Sequence, residues 1–334
     1  MAVASLGDLS HSHFLRRRNV ALRQQIDRLT TELASGQVAD PREVLAGNYS
    51  YLADIERRMA VLEGYRVATT EAGLFTGAIQ TALGHIGDNG SALASSLMTA
   101  GTSAIGFSGS DTVAEARNTL EALIGAMNAN TAGRYLFSGT ATDQPPLPDA
   151  QTILAALRTA VSGASTPADL LAASQAWFDD PAGFAAVLYQ GGTDALSPYT
   201  LSETDRVALD VRAVDPALRE VLRLTATAAL AGDAAFGFDI AAQSDLFRAA
   251  GQQLLIAQDR LIALRAEVGF VEARIERIAT RNAAEVTSLT FARLNLLEAD
   301  PFETATRLEE AQFQLQSLYS VTVRMSQLSL ANFL

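Results

Sequence analysis

The two ends of this chain repeat one pattern, although they lie far apart in sequence. Near the C-terminus Leu308, Ala311, Leu315, Leu318, Thr322, Met325 and Ser329 step by 3, 4, 3, 4, 3 and 4. Near the N-terminus Leu15, Leu22, Ile26, Leu29 and Leu33 step by 7, 4, 3 and 4. A 3/4 alternation keeps one stripe on one side of a helix, as in the seam of a coiled coil. A helix cannot bury its own stripe. Each therefore needs a partner, either the other end of the chain or a neighbouring copy. The expected assembly interface is Leu15, Leu22, Ile26, Leu29 and Leu33 with Leu308, Ala311, Leu315, Leu318, Thr322 and Met325.

The same spacing recurs inside the chain. From about Ser244 no proline interrupts the sequence until Pro301, and Leu254, Ala257, Leu261, Leu264, Val268, Val271, Ile275 and Ile278 hold 3/4 steps. Residues 251–299 as one helix would span roughly 70 Å, far beyond an ordinary globular helix. Leu254, Leu261, Leu264, Val268, Val271, Ile275 and Ile278 are its expected coiled-coil core. A second long helix is expected from about Ser50 into the nineties, opened by Leu52, Ile55, Met59 and Leu62. It carries Gly64, Gly73, Gly77, Gly84 and Gly87. Each interior glycine costs about 0.5–1 kcal/mol relative to alanine, so close helix–helix packing is expected to compensate.

Punctuation divides the rest. The first helix is expected over 8–35, closed by Gly36, and Ala39-Asp40-Pro41 breaks the chain as Asp300-Pro301 does near the other end. Residues 99–110 read as a loop, and Asp111 as the cap of a helix reaching about Asn130. Beyond the Pro-rich stretch 138–150, Thr166-Pro167 is a helix start. Phe184–Tyr189 and Val207–Val211 read as strands around a turn-rich Gln190–Thr204. The expected fold is mainly α: a long antiparallel coiled-coil rod built from the N- and C-terminal segments, with a small inserted α+β domain. The expected domains are a terminal assembly region at 1–40 and 302–334, a helical rod at 41–140 and 240–301, and an outward-facing insert at 141–239.

Charge agrees with this division. All 25 basic residues are arginine, and the net charge is −12. It amounts to +1 over residues 1–66, −11 over 67–250 and −2 over 251–334. Near-neutral ends permit close association, and an acidic middle favours solubility. No basic stripe exists to neutralise phosphates, so nucleic acid is not an expected partner. No stretch approaches the roughly 18–20 apolar residues of a membrane span. The segment Met1–Leu15 lacks a signal-peptide apolar region, so a chain of this kind that leaves the cell would use a route that reads no such signal.

Chemistry finds little to stand on. The chain has no cysteine, which excludes disulfides, thiolate nucleophiles and Cys-based zinc sites. His11 and His13 lack a nearby third ligand, and His85 stands alone. Ser108 in GFSG and Ser138 in LFSG lack the Gly-x-Ser-x-Gly nucleophile pattern. Arg16-Arg17-Arg18 reads as a solvated helix face or a subunit contact. No cofactor or metal is expected. An enzyme reading would have to place its site in residues 150–240, which offer acids but no His or Cys.

Three stretches carry a resemblance. Residues 128–146 read NANTAGRYLFSGTATDQPP, residues 317–334 read SLYSVTVRMSQLSLANFL, and residues 27–38 read DRLTTELASGQV. In these the chain resembles the flagellin superfamily, over about 1–140 and 240–334. The run at 128–146 is nearest to the hook-associated proteins of the hook–filament junction. An Asp-Asp-Pro usual after the first turn is only Ala39-Asp40-Pro41 here, and the Asn-Gly-rich motif of ordinary flagellins is missing at Gly133–Gly139. The resemblance implies a secreted structural role: an adaptor joining hook-associated proteins to the flagellin filament, with a filament-forming flagellin as the alternative. It also implies packing with copies of itself, passage through the flagellar type III channel, and a cytoplasmic chaperone on the C-terminal helices.

Overall fold

A computed structural model describes residues 6–45, 49–102 and 109–331. Among them the order is α1 (Leu6–Ser35), α2 (Pro41–Leu45), α3 (Ser50–Thr102), α4 (Gly109–Met127), β1 (Asn130–Thr131), β2 (Arg134–Tyr135), α5 (Ala150–Ala160), α6 (Pro167–Asp179) and α7 (Phe184–Val187). There follow β3 (Tyr199–Thr200), β4 (Arg206–Val207), α8 (Pro216–Ala229), α9 (Ile240–Leu296) and α10 (Pro301–Ala331). The fold is mainly α, as expected, and the described residues hold two antiparallel two-residue hairpins. The loop expected at 99–110 is helical through Thr102, and its residues 103–108, with Ser108, lie outside the described residues. The chain divides into two compact units, Met1–Leu62 with Ala283–Leu334, and Glu63–Asn282.

In the second unit the α3 and α9 segments run antiparallel. Gly77 faces Glu272, Gly87 faces Leu261 and Gly101 faces Arg248. The glycines are not equivalent. Gly64 and Gly73 face open space, whereas a Cβ on Gly101 would sit 2.7 Å from the Arg248 backbone nitrogen. Close approach therefore explains Gly101 and, on α9, Gly251, which is 3.1 Å from the Ala94 carbonyl by the same construction. The expected α9 core is buried here. Leu254, Leu261, Leu264 and Val268 join one large cluster with Leu83, Ile86 and Leu97 of α3. Val271 is half-buried against it. Ile275 and Ile278 enter a smaller cluster with Ala72, Leu201 and Val207.

Residues 141–239 differ from the expectation in two ways. Phe184–Tyr189 is no strand: Phe184–Val187 is a helical turn, and Phe184 is buried, stacked on Phe178 at 4.6 Å between ring centroids. Val207–Val211 is a strand only at Val207, which pairs with Tyr199; Leu209 and Val211 are buried without a ladder. Alternating apolar residues mimic strand periodicity wherever an irregular segment lies against a core. The second difference is that this segment shares its core. Ile153, Leu157, Leu170, Val221 and Leu222 belong to the same cluster as Leu120, Leu123 and Leu254. Helix α8 packs on α4, α5 and α6, and every residue from Val221 to Ala229 is buried. A helix buried all round is central, not appended.

That central helix holds a charge. Arg223 is 2% exposed, yet its guanidinium is fully partnered. It donates to both Glu220 carboxylate oxygens at 2.9 and 2.7 Å, to Ser174 Oγ and Gln253 Oε1 at 3.1 Å, and to the Leu171 carbonyl at 3.4 Å. A buried cation is tolerated when its donors are satisfied in this way. It ties α6, α8 and α9 in register.

The 128–146 stretch becomes legible as a set of fastenings. The Asn128 side chain clasps the Leu147 backbone, donating to its carbonyl at 2.9 Å and accepting from its N–H at 3.1 Å. Ala132 and Gly133 take positive φ of 53° and 80°. These left-handed residues close the β1–β2 turn. Arg134 donates to Glu71 at 2.7 Å and lies 4.7 Å over the Phe75 ring. Phe137 fills the core. Ser138 is fully buried and donates to the Gln144 carbonyl at 2.8 Å, an anchor with no access for a substrate. Gly139 has φ +56°, and a Cβ there would lie 2.7 Å from the Asp194 carbonyl.

The β3–β4 hairpin is fastened separately. Asp205 pairs with Arg281 and Arg274 of α9 and accepts from Ser202 Oγ at 2.8 Å. Asn282 Nδ2 donates to the Leu201 carbonyl at 2.8 Å. Hydrogen bonding from Arg281, then Ser202, holds the Asp205 carboxyl down at about 2.

Candidate assembly interface

The first unit contains α1 and α10 packed on each other. Two matched joints set their ends. Gly36, at φ +69°, ends α1 with its N–H on the Glu32 carbonyl. A left-handed glycine is the usual residue for such a helix end. The chain then bonds to the segment before α10: Val38 N–H to Leu297 O at 2.9 Å, and Ala299 N–H to Gly36 O at 3.0 Å. Both Asp-Pro breaks are helix caps. Asp40 Oδ1 accepts from Arg42 N–H at 2.9 Å. Asp300 Oδ1 accepts from Phe302 N–H at 2.8 Å and from Glu303 N–H at 3.1 Å. Beneath them Leu45, Leu52 and Leu297 form a small core.

The expected interface residues divide by burial. On α1 Leu22 and Leu29 are buried, Leu15 and Ile26 half-buried, and Leu33 exposed. On α10 Ala311 is buried, Leu308, Leu315, Leu318 and Met325 half-buried, and Thr322 exposed. The heptad stripes are thus the more buried sides of two helices that pack together within one chain. An Arg23 side chain crosses to Tyr319, donating to its hydroxyl at 2.6 Å and pulling that phenol below its ordinary value. Since Gln37 pairs with Glu298 and Arg23 with Tyr319, α1 and α10 are antiparallel.

The sequence reading did not single out the residues that remain outside. Phe302 is 84% exposed, Phe313 71%, Phe14 57% and Val20 54%. Heptad counting selects the seam, so it passes over large apolar residues on the opposite side. A rotation of about 100° per residue puts Phe302, Glu309 and Phe313 on the α10 side away from the seam. It puts Arg17 and Val20 on the corresponding side of α1, with Phe14 and Arg16 at its flanks.

Among the described residues no three His, Asp or Glu side chains cluster as metal ligands, and His13 and His85 are exposed. His11 has no described side chain. No described helix is long and apolar enough to cross a membrane.

Paired terminal helices with large apolar residues on their outer sides are the distinctive feature of the first unit. Residues 256–334 match the family model of the bacterial flagellin C-terminal helical region. A solved structure from Vibrio parahaemolyticus, assigned as a flagellar hook-associated protein, matches with a TM-score of 0.50 at 12% identity, over 75% of this chain and 99% of that one. At that identity the likeness is one of fold. A search of the curated proteins finds no match. Residues 256–334 therefore carry a flagellin-type C-terminal helical region.

Proposed function

We propose that this chain is an adaptor at the hook–filament junction, joining hook-associated proteins to the flagellin filament. It would be exported unfolded through the flagellar type III channel, with a cytoplasmic chaperone on its C-terminal helices. Outside the cell its terminal helices pack with copies of itself, and the role is structural rather than catalytic. The observation that carries this reading is the outer side of the α1–α10 pair, where Phe302, Phe313, Phe14 and Val20 remain exposed after the heptad seams have met. Large apolar side chains on that scale mark a surface meant to be covered. The flagellin-type C-terminal region supports the flagellar setting.

The test is the position of a tagged copy along purified flagella, with electron microscopy of a deletion strain. A junction protein sits in one band at the filament base, and its loss releases flagellin monomers into the medium. A tag along the whole filament would make the chain a flagellin instead. A tag absent from the flagellum would overturn the proposal.

A further inference from the structure

The α3–α9 pair is not packed alike along its length. Where it joins the large core, α3 supplies Leu83, Ile86 and Leu97 to the seam. Further along, α9 still presents Val271, Ile275 and Ile278, but α3 offers only Ala68 and Ala72, with Gly73 facing open space. Two alanines do not fill a seam opposite two isoleucines. Leu201 and Val207 of the β3–β4 hairpin fill it instead, at 0% and 4% exposure.

The seat of that hairpin is small and largely ionic. Asp205 faces Arg274 and Arg281 of α9, whose side chains are exposed. Arg281 also donates to Ser202 Oγ at 3.3 Å. At the other end Tyr199 lies beside the pair of Glu71 on α3 and Arg134 on β2. The hairpin's own Glu203 and Arg206 are exposed. Its apolar contacts form a cluster apart from the large one, and Val271 packs against both. The chain on either side is anchored in the large cluster, by Leu188 before the hairpin and Leu209 after it. Between Leu188 and Tyr199, residues 193–198 are mostly exposed. The hairpin has slack enough to leave its seat while both anchors stay.

We propose that β3–β4 is a releasable strap on the α3–α9 pair, latched by Asp205 on Arg274 and Arg281, that opens without unfolding of the large core. Closed, it covers the seam with polar and charged residues. Open, it bares Ala72, Ile275 and Ile278 beside two arginines that have lost their acid. Segments held by few apolar contacts are the ones that open locally. Salt screens exposed ion pairs but does not loosen the burial of Leu201, so latch and plug respond differently to ionic strength.

The experiment exploits the absence of cysteine from this chain. In the full-length protein Ala72→Cys places a single thiol under the strap, and Ala116→Cys places one in the large cluster as a control. The Ala72→Cys thiol should react with a thiol reagent roughly tenfold or more faster than the control, because local opening exposes it without global unfolding. Molar salt should speed it about threefold further and leave the control unaccelerated. Added to Ala72→Cys, Asp205→Asn should speed labelling roughly tenfold and abolish the salt response. Leu201→Ala should speed it roughly thirtyfold or more and keep that response. An unchanged Trp177 transition in each variant shows that the large core is intact. In the unsubstituted chain, amide exchange at Leu201, which donates to the Asp205 carbonyl, and at Asp205, which donates to Ser202 Oγ, should show the same salt response. Equal labelling of the two thiols overturns the strap. A salt response that survives Asp205→Asn, or amides at Leu201 and Asp205 that ignore salt, overturns the latch.

Discussion

Alanine at two glycines of the same helix should move stability in opposite directions. Gly73 and Gly101 both lie in α3 and both belong to the second unit. At Gly73 a Cβ meets nothing within 4 Å. Only backbone entropy and helix propensity then change, so Gly73→Ala should stabilise by about 0.5–1 kcal/mol. At Gly101 the Cβ would lie 2.6, 2.7 and 2.8 Å from Cβ, N and Cα of Arg248. These are main-chain atoms and a Cβ fixed to them, so no rotamer change relieves the overlap. Overpacking of this kind costs about 1–3 kcal/mol, occasionally more. Set against the propensity gain, Gly101→Ala should destabilise by about 1–2 kcal/mol. The chain has one tryptophan, Trp177, set edge-on to Phe178 and Phe184 in the second unit, so its fluorescence reports that unit's unfolding. For a unit of this size 1 kcal/mol moves Tm by about 2–4 °C. Gly73→Ala should raise the Trp177 midpoint by about 1–4 °C, and Gly101→Ala should lower it by about 2–8 °C. A rise at both positions would refute the close approach of α3 and α9 around Arg248.

Three further outcomes are expected. Asp205 titrates near 2 instead of its ordinary 3.8, so the contribution of its arginine pairs is present above that ordinary value and is lost as pH falls towards 2. Amide exchange over 199–207 should accelerate in that window, and Asp205→Asn should remove the pH dependence. Leu29, 2% exposed, sits in the α1 seam. Leu29→Asp should therefore cost about 3 kcal/mol or more and speed amide exchange in α10 with the Trp177 transition unchanged. Replacing residues 150–238 with a Gly/Ser linker should abolish the cooperative thermal transition of the remaining helices by circular dichroism, because Leu120, Leu123 and Leu254 lose Ile153, Leu157, Val221 and Leu222 from their shared core; a truncated chain that still melts cooperatively would make 141–239 the separable insert expected from sequence.

The sequence by itself determined the long helices, the period of their seams and the breaks at Gly36, Pro41 and Pro301. Heptad steps from Leu254 to Ile278 announce a long packed helix, and every one of those residues is buried or half-buried against a neighbour. Asp40-Pro41 and Asp300-Pro301 announce starts, because a short acceptor before proline caps a helix whatever surrounds it. Gly36 announces a stop for an equally local reason. Where the partner had to be known, the sequence fell silent. Steps of 3 and 4 show that Leu22, Leu29 and Ala311 need covering, but not whether the cover is their own chain, and tertiary structure places α1 against α10. Nor can a pattern that selects one side of a helix report that Phe302 and Phe313 lie bare on the other. The segment 141–239 failed for a related reason. Val207, Leu209 and Val211 alternate as a strand would, yet what spaces them is contact with helices distant in sequence. Only that contact decided that α8 is a centre, that Arg223 could be buried with every donor satisfied, and that Gly101 had to be glycine while Gly73 did not.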